Sequence, residues 1–346
     1  GDTWMEPAAG CRMEDIKVAD NPGMHRYAPV AGLPSLLEAI AARVEARTGV
    51  ATEPANLLVS AGATGALAAA AAAIVSPGDE VLILAPYWPL IAGIVRQAHG
   101  VPVPVPVFAG EVSDADAAVA ACEARLSDRT VALYLNTPNN PTGRLLPAAW
   151  VEALVAWGRA RDLWIFADEV YEDYVYRGEH TYTRPLAPER TFAAHSFSKA
   201  YGMAGNRCGY LIGPQEAIDS ARKIAAHTFY STPTAAQLAA VRVLGEVGDA
   251  WIADARRRYQ ELGDEAAARL GVAPPEGSTF LFLDVADHLD ARGLQGLLED
   301  CADRGLLIAP GTSFGPYPTH VRLCFTSAPP EQVRRGVAVL AELLGR

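Results

Sequence analysis

From about residue 57 to residue 240, short apolar runs alternate with longer stretches whose apolar positions recur at helical spacing. The runs fall at 57–60, 81–84, 131–135, 164–167, 191–195 and 209–212. Continuous apolarity over so few residues marks strands covered on both faces. Their alternation with helices predicts a mostly parallel sheet flanked by helices. Residues 101–107 alternate valine with proline. Proline cannot donate to a sheet ladder, so an edge strand or a connector is expected there. The alanine-rich run at 67–75 is too short to cross a membrane and suits a tightly packed helix.

Past residue 245 the pattern changes. A long amphipathic helix is predicted from near Trp251 to Leu270, with Arg256, Arg257 and Arg258 on a solvated face. After Pro274-Pro275, strands are expected at 280–285 and 321–325, and helices at 289–304 and 331–344. The expectation is a large α/β domain over residues 13–245. A smaller α+β domain is expected over 246–346, completed by residues 1–12. No internal repeat or low-complexity linker interrupts the chain.

Composition narrows the function classes. The 346 residues are 50% hydrophobic and 20% charged, the range of soluble globular proteins. A net charge of -11 argues against nucleic acid or an anionic membrane as partner. The five cysteines, at 11, 122, 208, 301 and 324, form no Cys-x-x-Cys pair, and the seven histidines show no ligand spacing. No structural zinc is therefore expected, and the pattern fits a reducing cytoplasm. The amino terminus carries no secretory pattern. It opens on Gly1-Asp2-Thr3-Trp4 without an initiating methionine, which leaves room for a preceding segment.

The most informative residue is Lys199, in Ser196-Phe197-Ser198-Lys199-Ala200-Tyr201-Gly202-Met203-Ala204-Gly205-Asn206-Arg207-Cys208-Gly209. An amine held in a dry site loses proton affinity and becomes a nucleophile toward carbonyls. Arg207 adds a fixed cation with donors suited to a phosphate. An amine for an aldehyde and a guanidinium for a phosphate together describe a pyridoxal phosphate site.

Four further segments sit at predicted strand ends, where open parallel sheets bind ligands. Ser60-Ala61-Gly62-Ala63-Thr64-Gly65 precedes a helix, whose amino terminus offers N–H groups to a phosphate; a plain tight turn would read the same. Pro86-Tyr87-Trp88 offers an aromatic plane for a pyridine ring, or a core tryptophan. Asn136-Thr137-Pro138-Asn139-Asn140-Pro141-Thr142-Gly143 presents Asn140 with both donor and acceptor. Asp168, in Ala167-Asp168-Glu169-Val170-Tyr171, ends a very apolar run. A carboxylate there needs a cation such as a pyridinium nitrogen, unless it merely caps the next helix.

The lysine segment resembles the signature of class I/II aminotransferases, the fold type I pyridoxal-phosphate enzymes. Cys208 stands where that signature usually has an aliphatic residue or alanine. The Asn-Pro-x-Asn-Pro-Thr-Gly-like turn ending at Gly143 is similar to the family's, and the motifs follow the family's order along essentially the whole chain. The resemblance implies an aspartate-aminotransferase-like fold and pyridoxal 5'-phosphate as cofactor, joined covalently to Lys199. It implies phosphate contacts from Gly62, Ala63, Thr64, Ser196 and Arg207, and stacking by Trp88. Asn140 and Tyr171 would meet the cofactor's phenolic oxygen, and Asp168 its ring nitrogen. Tyr27, in Tyr27-Ala28-Pro29-Val30-Ala31-Gly32-Leu33-Pro34, would reach the phosphate of a second subunit, so a homodimer is implied. Arg322 would grip the substrate α-carboxylate, with Gly1 nearby.

The expected activity is transfer of an amino group between an L-amino acid and a 2-oxo acid. His227 stands near the place where dicarboxylate-specific relatives carry an arginine, in a stretch that reaches the site from the partner subunit. His227 and Trp4, with Phe229, are therefore expected to shape a pocket for a larger or polar side chain. The same scaffold supports oxidase, lyase and cyclase chemistry, and a non-catalytic sensor module is a further reading.

Overall fold

The computed structural model describes residues 2–346. Ten strands run in chain order: β1 (Leu57–Ser60), β2 (Glu80–Ala85), β3 (Val101–Pro106), β4 (Thr130–Asn136), β5 (Trp164–Asp168), β6 (Thr191–Ser196), β7 (Gly209–Ile212), β8 (Phe280–Asp284), β9 (Ala309–Pro310) and β10 (His320–Cys324). Eleven helices accompany them: α1 (Pro34–Thr48), α2 (Gly62–Ile74), α3 (Pro89–Gln97), α4 (Ala115–Glu123), α5 (Ala148–Ala160), α6 (Phe197–Ala200), α7 (Gln215–Thr228), α8 (Thr234–Val243), α9 (Glu246–Leu270), α10 (Gly293–Asp303) and α11 (Pro330–Leu343).

The first seven strands form one sheet in the order β1-β7-β6-β5-β4-β2-β3, and only β7 runs antiparallel to its neighbours. Its central strands are apolar and buried on both faces, as the unbroken apolar runs predict. Separate apolar cores lie on the two faces. The buried alanines of α2 let it pack closely against the sheet.

At the sheet edge, β3 carries prolines at every second position. Val101 and Val107 donate their N–H groups to Asp79 and Ala85 at 2.7 and 2.9 Å. The intervening prolines at 102, 104 and 106 therefore face away from β2, so they remove no ladder bond and blunt the free edge.

The second sheet is antiparallel, in the order β8-β10-β9, and packs with α9, α10 and α11 around its own core. Three details depart from expectation, the first being that α10 begins at Gly293 and not at 289. Strand β9 has only two residues, too few to leave a pattern in the sequence. Helix α9 starts at Glu246, ahead of the Trp251 expected, because Gly248 is a packing glycine rather than a break. A Cβ there would collide with the Val243 carbonyl and the Tyr201 ring.

Parallel pairing brings the carboxyl ends of β2, β4, β5 and β6 to one edge of the sheet. The reversal of β7 places its first residue on the same edge, with Gly209 opposite both Ser60 and Ser196. A Cβ on Gly209 would lie 2.6 Å from the His195 carbonyl oxygen and 2.9 Å from the Ala63 nitrogen. Gly209→Ala is expected to destabilise the protein by about 1–3 kcal/mol, since backbone on both sides must move. Urea unfolding of the two proteins measures the difference.

Candidate active site

A cavity of about 410 Å³ opens where these strand ends meet. Ten of the residues singled out in the sequence line it: Ala63, Thr64, Trp88, Asn140, Asp168, Tyr171, Ser196, Lys199, Arg207 and Arg322. The last comes from β10, so the small sheet closes one side.

Asp168 is the last residue of β5 and is 3% exposed. One carboxylate oxygen, Oδ2, accepts a hydrogen bond from the Tyr134 hydroxyl at 2.7 Å. The other, Oδ1, is buried without a hydrogen-bond partner among the described residues. Burial pushes the carboxyl up to about 6, although the Tyr134 hydroxyl, the Val170 N–H and His195 all favour the ionised form.

Behind it lies a buried charge cluster. His195 Nδ1 is 2.9 Å from Glu172 Oε1, and its Nε2 is 3.4 Å from Glu169 Oε2. Arg47 on α1 bridges Glu172 and Asp173 at 2.9 and 2.6 Å. Burial works against the His195 cation, but Glu172 and Glu169 hold its pKa above the ordinary value.

Lys199 sits on the single turn α6, which Ser196 caps by accepting from the Ser198 N–H at 3.1 Å. The Tyr174 hydroxyl donates to the Lys199 and Ala200 carbonyls at 2.9 and 3.0 Å, which fixes the far end of that turn. Burial lowers the Lys199 pKa; Asp2 and Cys324 oppose this, and the Arg207 and Arg322 cations add to it.

Arg207 has a left-handed backbone (φ 50°), and its guanidinium reaches Ser198 Oγ at 3.5 Å and the Ala61 carbonyl at 3.3 Å. A Cβ on Gly62 would stand 2.6 Å from Arg207 Nη2, so glycine is what lets the cation sit against the start of α2. Arg322 lies between the faces of Phe280 and Phe314, at 4.4 and 4.7 Å, and donates to Asn140 Oδ1 at 2.9 Å. Its Nε is buried without a partner.

The remaining sequence candidates lie elsewhere. Tyr27 is 89% exposed and packs edge-on against Tyr230. Trp4 lies edge-on to Tyr259, with ring centroids 4.7 Å apart, in the core of the small sheet. His227 is exposed near the end of α7, its Nδ1 2.7 Å from the Lys223 carbonyl. Neither Trp4 nor His227 lines the cavity. Gly1 falls outside the described residues. Conversely, Tyr134, Leu90, Ser313 and Phe314 escaped the sequence reading. Tyr134 left one signal: it stands two residues before Asn136, on the same face of β4.

Residues 7–340 match the family model for aminotransferase class I and II. The chain belongs to that family. It is 34% identical over 335 residues to the aspartate/prephenate aminotransferase of Thermus thermophilus, covering 94% of this chain and 84% of that one. The arginine–pyruvate transaminase of Pseudomonas aeruginosa is 33% identical over 336 residues, again covering 94% and 84%. Among solved structures, an aromatic aminotransferase from Pyrococcus horikoshii superposes with a TM-score of 0.91 at 26% identity, covering 100% and 94%.

This aminotransferase is thus a pyridoxal-phosphate-dependent enzyme of fold type I. The cavity fits that cofactor on its own terms. Asp168 Oδ1 is an unmatched buried acceptor suited to a ring N–H. The start of α2, with Arg207 against it, is suited to a dianionic phosphate.

The raised Asp168 pKa sets a pH dependence. An acid whose pKa is higher folded than unfolded binds its proton more tightly in the native state. Cofactor-free protein therefore loses stability as pH rises from about 4 to about 6, and the full penalty persists above that. Asp168→Asn is expected to stabilise cofactor-free protein at pH 8 by roughly 1–3 kcal/mol and to change it little below pH 4. With pyridoxal phosphate bound, the order at pH 8 should reverse. Urea unfolding at both pH values, with and without cofactor, measures this.

Proposed function

We infer that this aminotransferase holds pyridoxal phosphate in the 410 Å³ cavity and uses Lys199 as its catalytic amine. The observation that carries the reading is the shared lining of one cavity by Lys199 and by Asp168, whose Oδ1 lacks any other partner. Bound there, the cofactor supplies an electrophilic aldehyde and an electron-withdrawing ring.

The chain's own residues do the rest. Burial lowers the Lys199 pKa, which favours its uncharged amine as nucleophile and then as the base that moves the proton from the donor's Cα. Asp168 keeps the ring nitrogen cationic. Asn140 spends its carbonyl oxygen on Arg322, which leaves its amide N–H groups to donate to the phenolic oxygen beside Tyr171. Gly62, Ala63, Thr64, Ser196 and Arg207 hold the phosphate, and Trp88 covers the ring. Arg322, clamped between two phenyl faces, takes the donor's α-carboxylate.

Exposed Tyr27, beside exposed Tyr230, supports a homodimer in which Tyr27 of each copy completes the other's phosphate site. Five free cysteines support a reducing cytoplasm as the working compartment. Two domains follow the two sheets, residues 13–245 and residues 246–346 with 1–12. Thr326 Oγ1 donates to the Asp2 carbonyl at 2.7 Å, which ties the first residues to the small sheet.

The relatives' names span aspartate and prephenate, arginine with pyruvate, and aromatic donors, so local side chains must set the donor here. Among the described residues, the cations lining the cavity are Lys199, Arg207 and Arg322. Each already has a role, and the neighbouring wall is Leu90, Trp88, Ser313 and Phe314. The apolar part of that wall, Leu90, Trp88 and Phe314, supports a donor with an uncharged side chain.

Lys199→Ala is expected to lower turnover by more than about 10³-fold and to remove the visible absorption of covalently held cofactor. Retained covalent cofactor in that variant would refute the assignment. A screen of all L-amino acids, measuring 2-oxo acid release by the holoenzyme, tests the donor. Uncharged side chains should lead; aspartate at equal efficiency contradicts the donor reading, and ammonia or peroxide release contradicts transamination.

A further inference from the structure

Strands β4 and β5 pair in parallel with Asn136 opposite Asp168 and Tyr134 opposite Phe166. Two residues apart, Tyr134 and Asn136 share a face of β4. Both reach Asp168. Asn136 Nδ2 donates to its backbone carbonyl at 2.8 Å, and the Tyr134 hydroxyl donates to Oδ2 at 2.7 Å. Tyr134 is completely buried. A phenol in so dry a place needs an acceptor, and a carboxylate is the strongest one available. With Oδ2 occupied, Oδ1 is the oxygen without a partner.

We propose that Tyr134 is a positioning residue for the transamination reaction: its hydroxyl keeps Asp168 ionised and turned so that Oδ1 meets the cofactor's ring nitrogen. This rests on the reading of Asp168 as that nitrogen's counter-ion. The pair shares one proton. A hydrogen bond to the carboxylate makes Asp168 the weaker base, so the proton stays on the ring nitrogen and the ring withdraws electrons more strongly. The other groups facing Asp168 are His195 from β6 and its chain neighbours Glu169 and Tyr171. His195 is matched by Glu172 and Glu169, which leaves Tyr134 as the side chain that hydrogen-bonds the carboxylate directly.

The test uses holoenzyme loaded with cofactor labelled with ¹⁵N in the ring, read by NMR at pH 7. Tyr134→Phe should move the ring-nitrogen resonance toward the neutral pyridine value. It should also lower kcat about tenfold, the loss of one charge-assisted hydrogen bond, with KM for the amino donor unchanged because Arg322 is untouched. Replacing Tyr134 by 3-fluorotyrosine, a stronger donor of the same shape, should keep the wild-type resonance and kcat. This variant also serves if Tyr134→Phe folds poorly. Asp168→Asn is the reference, and it should give a neutral ring nitrogen. If Asp168→Asn leaves the resonance unchanged, the counter-ion reading itself fails. If Asp168→Asn shifts it and Tyr134→Phe does not, or if KM and kcat change together, Tyr134 merely fills the core and the proposal is overturned.

Discussion

A carboxylate at the end of an apolar strand is the constraint on which this structure turns. Ionised Asp168 costs several kcal/mol to bury unless something compensates it. Within the chain the compensation is partial: one phenol, one backbone N–H and the field of His195. The fold leaves the remaining oxygen unmatched among the described residues at the cavity wall, so a cationic group bound there would relieve a penalty already built into the protein. On the proposed reading, affinity for the cofactor and electronic control of its ring would come from the same buried charge.

Sheet polarity explains why the other groups arrive at that charge. Parallel strands deliver their carboxyl ends to one edge, which places Asn136 beside Asp168, with Ser196 just past Ala194, the partner of Asp168 on β6. The antiparallel insertion of β7 between β1 and β6 brings the segment before it, with Arg207, to the same edge. Glycine at 62 and 209 permits the resulting approach of α2, β7 and the guanidinium. A larger residue at 62 would push the Arg207 guanidinium away from the helix start, and one at 209 would push the helix start itself away from β7. The charge cluster of Arg47, Glu172, Asp173 and His195 anchors α1 behind the same strand ends, so the rear of the site is held electrostatically and its front by packing.

What the sequence revealed was whatever is local along the chain. The apolar runs of β1 and β7 coincide with the strands, and those of β2, β4, β5 and β6 fall short by a residue at one or both ends, because a buried strand must be apolar throughout. Lys199, Asn140 and Asp168 were legible since each stands in a short motif with a turn or strand end of its own. Tyr134 was not, because its partner lies 34 residues away and across a strand pair. The clamp of Phe280 and Phe314 on Arg322 is likewise made between segments that only folding brings together. His227 shows the limit of such reading within one chain. Its proximity in sequence to a substrate-binding stretch said nothing of orientation, and its ring turns to its own helix.

Arg322 shows how the two sheets become one site. Two aromatic faces strip water from the guanidinium and fix its plane, and burial lowers its pKa without neutralising it. Its only side-chain hydrogen bond among the described residues runs to Asn140, across the boundary between the sheets. That bond occupies one Nη and leaves the buried Nε unsatisfied. On the proposed reading, a donor carboxylate would meet a fork already held in place and partly desolvated, so little side-chain entropy would remain to be lost on binding. On that reading the same Asn140 would also meet the cofactor, which would couple filling of the fork to orientation of the ring through a single asparagine.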